Sequence, residues 1–260
     1  MSAFEDDQID IVGKARGGLG LPGSGIPGDE PALRALARTL ELDPDKLADF
    51  TFRPEPPRDL RPAGPFRQLV LGSGFTSNGY VIGCPDTGTA VVVDPGAEGG
   101  RVVAAIRELR LTPVAILLTH GHGDHVGGLR EVHAAYPVTV FAPDAERGLL
   151  GAFTDLVTFV PAGHRTAFGS RAAVFRPVPG HTPGMAAIVV AAAGVACTGD
   201  ALFARSAGRA AAGGPYRTQL DAVRRELLSL PPDTILCPGH GPLTTVADER
   251  RLNPFYPDAG

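Results

Sequence analysis

The chain has 260 residues, a formal net charge of −4 and a pI near 6.0. That length allows one sizeable core with a small appendage, and the absence of a basic footprint argues against a nucleic-acid partner. Three cysteines, Cys84, Cys197 and Cys237, make no disulfide framework. The acidic start, Met1 to Asp7, lacks the charged-then-apolar order of a signal peptide. The longest apolar run, Met185 to Cys197, is too short for a membrane span and contains Gly194. A cytoplasmic protein with no membrane partner is expected.

Residues 1–65 differ in texture from the rest. Phe4 to Gly13 suits a short helix, and Gly17 to Gly28, with six glycines and two prolines, reads as a loop. Asp29-Glu30-Pro31 opens an amphipathic helix with Leu33, Leu36, Ala37 and Leu40 on one face. Asp43 then stands as N-cap to a second helix, with Pro44 at its first position. The pair resembles the end of a small helix-turn-helix domain of the repressor type, but a glycine loop replaces the recognition helix. A degenerate docking segment is expected, followed by a linker over Arg53 to Pro65 with five prolines. The expected division is therefore an N-terminal helical segment and linker, 1–65, and a catalytic domain, 66–260.

From Phe66 strands and helices alternate. Gln68–Leu71 and Tyr80–Ile82 read as paired strands around the Ser73–Gly79 turn, and Ala90–Val93 as a third strand. Helical spacing follows at Val102, Val103, Ile106 and Leu109, then a strand at Val114–Leu118. Further strands are expected at Val138–Phe141, Ala173–Pro177, Ala186–Ala192 and Thr234–Cys237. Helices are expected at Gly128–Ala135, Asp144–Leu150 and Thr218–Leu230. Interleaving of this kind implies sheets covered by helices on their outer faces.

The chemistry concentrates at strand ends. Thr119-His120-Gly121-His122-Gly123-Asp124-His125 follows the Val114 strand, so three of the chain's seven histidines leave it together with a carboxylate. Beyond a strand end, His120 and His122 at i and i+2 project to the same side, and imidazoles with a carboxylate form a ligand set for zinc, iron or manganese. Pro179-Gly180-His181-Thr182-Pro183-Gly184, Cys197-Thr198-Gly199-Asp200 and Cys237-Pro238-Gly239-His240-Gly241 each place one more ligand-type residue in a turn after a strand.

Together, His-x-His-x-Asp-His, PGHTPG, GD and PGHG resemble the metallo-β-lactamase superfamily, and within it the glyoxalase II-like hydroxyacylglutathione hydrolases. Asp200-Ala201-Leu202-Phe203 with Gly208-Arg209, and Thr244-Thr245-Val246 with Glu249-Arg250 and Asn253-Pro254-Phe255, are similar to further stretches of that group. The resemblance runs from about residue 66 to the end. It implies an α/β fold, the αββα sandwich, with two divalent metal ions at one edge: zinc foremost, iron or manganese as alternatives. It further implies that His120, His122 and His181 hold the first metal, that Asp124, His125 and His240 hold the second, and that Asp200 bridges them. The implied reaction is thioester hydrolysis by a metal-bridged hydroxide, with Asp124 and Asp200 as the catalytic carboxylates and a small, glutathione-linked thioester as substrate.

Departures narrow the choice. Two-zinc β-lactamases resembling this fold carry a cysteine where Asp200 stands, and di-iron flavoprotein relatives a glutamate where His122 stands. With about twenty residues after His240, the helical C-terminal domain of full-length glyoxalase II is expected to be absent. The alternative reading is a mononuclear iron persulfide dioxygenase, whose relatives use the positions of His120, His181 and Asp200; Ala201–Arg209 is similar to that group's segment. A metal-binding protein without catalysis is a third. Arg205, Arg209 and Tyr216 are candidates for substrate binding, Asp94 for orienting a ligand histidine, His164 for a solvated loop, and Cys197 and Cys237 for small buried packing residues.

Overall fold

The computed structural model describes residues 11–20, 26–211 and 216–257. Two six-stranded sheets lie face to face. The first contains β1 (Phe66–Leu71), β2 (Ser77–Gly83), β3 (Thr89–Val93), β4 (Thr112–Leu117), β5 (Thr139–Pro143) and β6 (Val157–Val160) in sequential order. Its first three strands are antiparallel neighbours, and β3 to β6 run parallel. The second has the order β14 (Thr244–Thr245), β13 (Ile235–Pro238), β10 (Val195–Gly199), β9 (Ala186–Val190), β8 (Arg171–Pro177) and β7 (Arg165–Phe168). A small hairpin, β11 (Leu202–Phe203) with β12 (Ser206–Ala207), follows β10.

Period-two alternation builds the layers. On β3, Val91 and Val93 enter the core between the sheets, while Ala90 and Val92 face the outer core under the helices α4 (Gly99–Glu108) and α6 (Leu129–Ala135). On β9, Ala186, Ile188 and Val190 enter the same central core, while Ala187 and Val189 face a third core. That third core is covered by α7 (Tyr216–Glu226), α8 (Val246–Leu252) and the N-terminal helices α1 (Ile11–Leu19), α2 (Glu30–Thr39) and α3 (Pro44–Phe52). Three cores between four layers make the αββα sandwich. Among the described residues, no helix is long and apolar enough to cross a membrane.

The cap expected at Asp43 forms, and Asp29 caps the helix that Asp29-Glu30-Pro31 is expected to open. Asp29 accepts from Ala32 N at 2.9 Å, and Asp43 from Asp45 N and Lys46 N at 3.0 Å each. The expected loop from Gly17 is corrected, because α1 runs through Gly17 and Gly18. Tertiary packing overrides the glycine penalty there: Ile11, Val12 and Ala15 are buried, and a Cβ on Gly18 would fall 2.3 Å from the Tyr216 ring. Of the expected helix Phe4 to Gly13, residues 4–10 lie outside the described part. The expected helix at Asp144–Leu150 is only a 3₁₀ turn, Asp144–Glu146. Gly148 interrupts it, and the Glu146 side chain is drawn away to the site described below. Strands β6, β7 and β10 and the two-residue strands β11, β12 and β14 are additional to those expected. One apolar run contains β9 and the first three residues of β10, since strands covered on both faces carry no alternation to mark the turn between them. On β7 only Phe168 is buried.

Candidate metal centre

Strand direction brings the ligand loops together. Strands β10 and β13 run parallel, and β8 shares their direction because two antiparallel steps separate it from β10. Their C-terminal ends therefore meet on one edge, where the loops carrying His181, Asp200 and His240 begin. In the facing sheet, parallel β3 and β4 deliver Asp94 and the His120–His125 loop. The short helix α5 (Gly123–Val126), which starts just after His122, places Asp124 and His125 in its single turn.

All seven predicted ligands converge in two groups, His120, His122, His181 and Asp200 in one and Asp124, His125 and His240 in the other, with the ligating atoms of each within 4.8 Å of one another. Asp200 reaches both: its Oδ2 is 3.4 Å from His181 Nε2 and 3.3 Å from His240 Nε2, and its Oδ1 is 3.4 Å from His125 Nε2. Asp124 Oδ2 lies 3.5 Å from Nε2 of both His125 and His240. The approach is possible because residue 239 is glycine; a Cβ there would sit 2.1 Å from Asp200 Oδ1 and 2.7 Å from His125 Cε1.

The rings are aimed from behind. His125 Nδ1 donates to Asp94 Oδ2 at 3.0 Å, His181 Nδ1 to the Arg209 carbonyl at 2.8 Å, and His240 Nδ1 to the Thr76 carbonyl at 2.6 Å. Those acceptors set the tautomer and leave each Nε2 as a lone pair facing the centre. His120 Nδ1 meets Thr119 Oγ1 at 3.0 Å, and that hydroxyl donates to Asp94 Oδ2 at 2.6 Å. Asp94 thus orients two histidines of one loop, where the sequence suggested one. His120 Nε2, His125 Nε2 and Asp200 Oδ1 are buried without a hydrogen-bond partner, and unsatisfied buried polar atoms at this density are costly unless a cation meets them. His122 Nδ1 and His181 Nε2 approach to 2.9 Å, a spacing that needs a proton or a metal between them. The residues fit a pair of metal ions.

Electrostatics divide the histidines into two kinds. Burial, helped by His125, holds the His120 imidazole well below its ordinary value, and burial with His181 lowers His122. Burial opposes charge on His125 and His240 as well, but Asp200 outweighs it and both are raised. Asp200 is buried, yet His125 and His240 hold it well below the usual carboxylate range. His120 and His122 are thus held as neutral imidazoles, and Asp200 as a charged carboxylate.

Sequence reading missed Glu146. It is fully buried; Oε2 accepts from Gly121 N at 2.8 Å and Oε1 from Gly184 N at 2.7 Å. One carboxylate therefore clamps the loop between His120 and His122 to the loop that follows His181. Nothing local marks it, because both of its partners are distant backbone amides. Asn78 was also missed: its side chain donates to the carbonyls of Pro238 and Gly241 at 2.9 Å each, holding the His240 loop across from β2.

The three predicted substrate residues are engaged otherwise. Arg205, in a left-handed conformation with φ 61°, donates Nη1 to the Glu55 carbonyl of the proline-rich linker at 2.7 Å. With Pro56, Pro57, Leu60, Pro242 and Leu243 it lines a small cleft. Arg209 supplies its carbonyl to His181, and a Cβ on Gly17 of α1 would lie 3.9 Å from its guanidinium. Tyr216 is 5% exposed and packs against Gly18 and Phe255. His164 is not solvated as expected; it sits half-buried between Phe141 and Phe175, with ring centroids 4.7 and 5.8 Å away. Cys197 and Cys237 are buried, 1% and 0% exposed, in the central core.

The family description "Metallo-beta-lactamase superfamily" matches residues 72–240. The hydroxyacylglutathione hydrolase GloC of Haemophilus influenzae is 34% identical over 205 residues, 72% of this chain and 96% of that protein. A crystal structure of the BLEG-1 B3 metallo-β-lactamase is 32% identical with a TM-score of 0.64, covering 74% of this chain and 99% of that one. A di-iron-bound form of TTHA1623 is 32% identical with a TM-score of 0.63, covering 73% of this chain and 99% of that one. Proteins equally similar to this chain thus carry names for different reactions and a metal other than zinc.

Proposed function

From the premise that the chain belongs to the metallo-β-lactamase superfamily and has metallo-hydrolases among its relatives, we propose that it is a two-metal hydrolase acting on a small-molecule thioester. What carries the reading is the second triad, Asp124, His125 and His240, which completes a site beside the first and shares Asp200 with it. Metal ions bound there supply Lewis acidity and lower the pKa of a water. Zinc is the first expectation for their identity, with iron or manganese as alternatives.

The chain's own residues then do three things. His120, His122 and His181, with Asp200, would hold one ion, and Asp124, His125 and His240, with Asp200, the other. Asp94, Thr119 and the carbonyls of Thr76 and Arg209 engage Nδ1 of His120, His125, His240 and His181 and so aim each Nε2 at the centre. Asp124, the most accessible of the carboxylates at 24% side-chain exposure, is placed to take up the proton released when the thiolate departs. A thiolate leaving group, with an ordinary thiol pKa of about 8.5, makes little demand on a general acid.

The deciding experiment measures metal content and then hydrolysis across a panel of thioesters, a lactone, a β-lactam and a phosphodiester. Two metals per chain with thioester turnover is the expected result. One iron per chain with oxygen uptake on glutathione persulfide would replace this reading with the dioxygenase one. Preferential β-lactam cleavage would overturn the substrate class, and intact ligands without turnover would favour a binding protein. An Asp124→Asn protein with full turnover and unchanged metal content would remove both roles from Asp124.

A further inference from the structure

We infer that the site selects thioesters bearing an apolar substituent, and this rests on the thioester reading above. Phe75 and Leu149 are large hydrophobic side chains left exposed, at 73% and 44%. Scattered exposed hydrophobics need no explanation. These two differ in position, because one flanks each metal-ligand group. The Phe75 ring lies with its centroid 5.1 Å from that of His240. Leu149 sits against the backbone between His120 and His122, where a Cβ on Gly121 would fall 2.7 Å from the Leu149 Cβ.

Each is also held by the residue that holds the ligands. The Thr76 carbonyl, one residue after Phe75, accepts from His240. Leu149 N donates to the Glu146 carbonyl at 2.9 Å while the Glu146 carboxylate grips Gly121 and Gly184. Phe75 and Leu149 are therefore attached to the segments that carry and hold the ligands, Phe75 beside His240 and Leu149 against the backbone at Gly121. The groups expected to receive an anionic peptide thiol are engaged elsewhere: Arg205 with the linker carbonyl, Arg209 beside α1 and Tyr216 in the core. A substituent that covers Phe75 and Leu149 removes apolar area from water on both partners, and that gain accrues per methylene. The apolar group can sit on the acyl side or on the thiol side of the scissile bond.

The test uses metal-loaded, full-length protein and two series of thioesters. In one, acetyl to octanoyl groups are carried on N-acetylcysteamine; in the other, an acetyl group is carried on propyl to octyl thiols. In one arm kcat/KM is expected to rise about two- to fourfold per methylene, and the arm that rises identifies the side. Phe75→Ser and Leu149→Ser should each flatten that slope, with metal content unchanged. Flat series in both arms, or a glutathione thioester preferred over every N-acetylcysteamine ester, would overturn the inference while leaving thioester hydrolysis intact. Should no thioester turn over, the thioester reading fails, and the apolar rim is judged by calorimetry with inert S-alkyl thioethers of N-acetylcysteamine. Binding that tightens with chain length in the wild type and not in the variants supports it; chain-length-independent binding overturns it.

Discussion

Glu146→Gln removes charge from the clamp between the two histidine loops and changes almost nothing else in volume. In the native protein each carboxylate oxygen receives one backbone N–H, Gly121 at 2.8 Å and Gly184 at 2.7 Å, in a fully buried position. A glutamine keeps one of those acceptors and points its amide nitrogen at the other N–H. One charge-assisted hydrogen bond is lost, the other is weakened to a neutral one, and two donors are left facing each other in the interior. Leaving a buried donor unsatisfied costs about 1–3 kcal/mol, and hydrogen bonds to charged groups contribute about 1.5–3, so the expected destabilisation is about 2–5 kcal/mol. The more specific consequence concerns metal. Both clamped loops serve the first ligand group, whereas Asp124, His125 and His240 are tied through Asp94, Ser77 and Thr76. Loss of an outer partner typically weakens metal binding about 10- to 100-fold. Dialysis against graded chelator, followed by metal analysis, should find one metal per chain in Glu146→Gln where the wild type still holds two. Equal chelator resistance, or simultaneous loss of both metals, would refute the clamp.

Asp94→Asn suits the positive φ of 47° at that position but presents an amide to a network that needs two acceptor oxygens. Metal affinity should fall about 10- to 100-fold, as read by chelator competition, while unchanged affinity would dismiss the orienting role. Gly239→Ala drives a methyl into Asp200 Oδ1 and His125 Cε1. A displacement of that size at a reacting centre costs on the order of 10²-fold in turnover, and wild-type activity with full metal content would contradict the geometry. Glu249 is buried and accepts from Arg205 N, Thr244 Oγ1 and Asn253 Nδ2, and burial pushes its carboxyl up to about 7 against those donors. A raised carboxyl stabilises the fold fully below the unfolded value near 4.5 and loses that contribution as pH rises through 7. That interval amounts to about 3 kcal/mol. The fall in Tm between pH 5 and 7 should be smaller in Glu249→Gln; parallel slopes would count against it.

Much was legible before folding, because it is local. Hydrophobic runs ending in His, Asp, Pro and Gly marked the strand ends, Asp29 and Asp43 announced their helices, and His120, His122, His181, Asp200 and His240 stood in turns whose pattern resembles one superfamily. Ligand identity lies in residue type and spacing, and both are written along the chain. What tertiary structure alone decided is pairing across distance. Glu146 matters through two amides 25 and 38 residues away, and Gly18 is helical because Tyr216 packs on it. Arg205, Arg209 and Tyr216 read as substrate contacts by their place after Asp200, but the linker, α1 and the core had prior claims on them. The exposure of Phe75 and Leu149 beside the ligands is likewise invisible in order of sequence. Covalent neighbours determine which groups are present at a strand end; only the packing of two sheets determines which of them face the metals and which face each other.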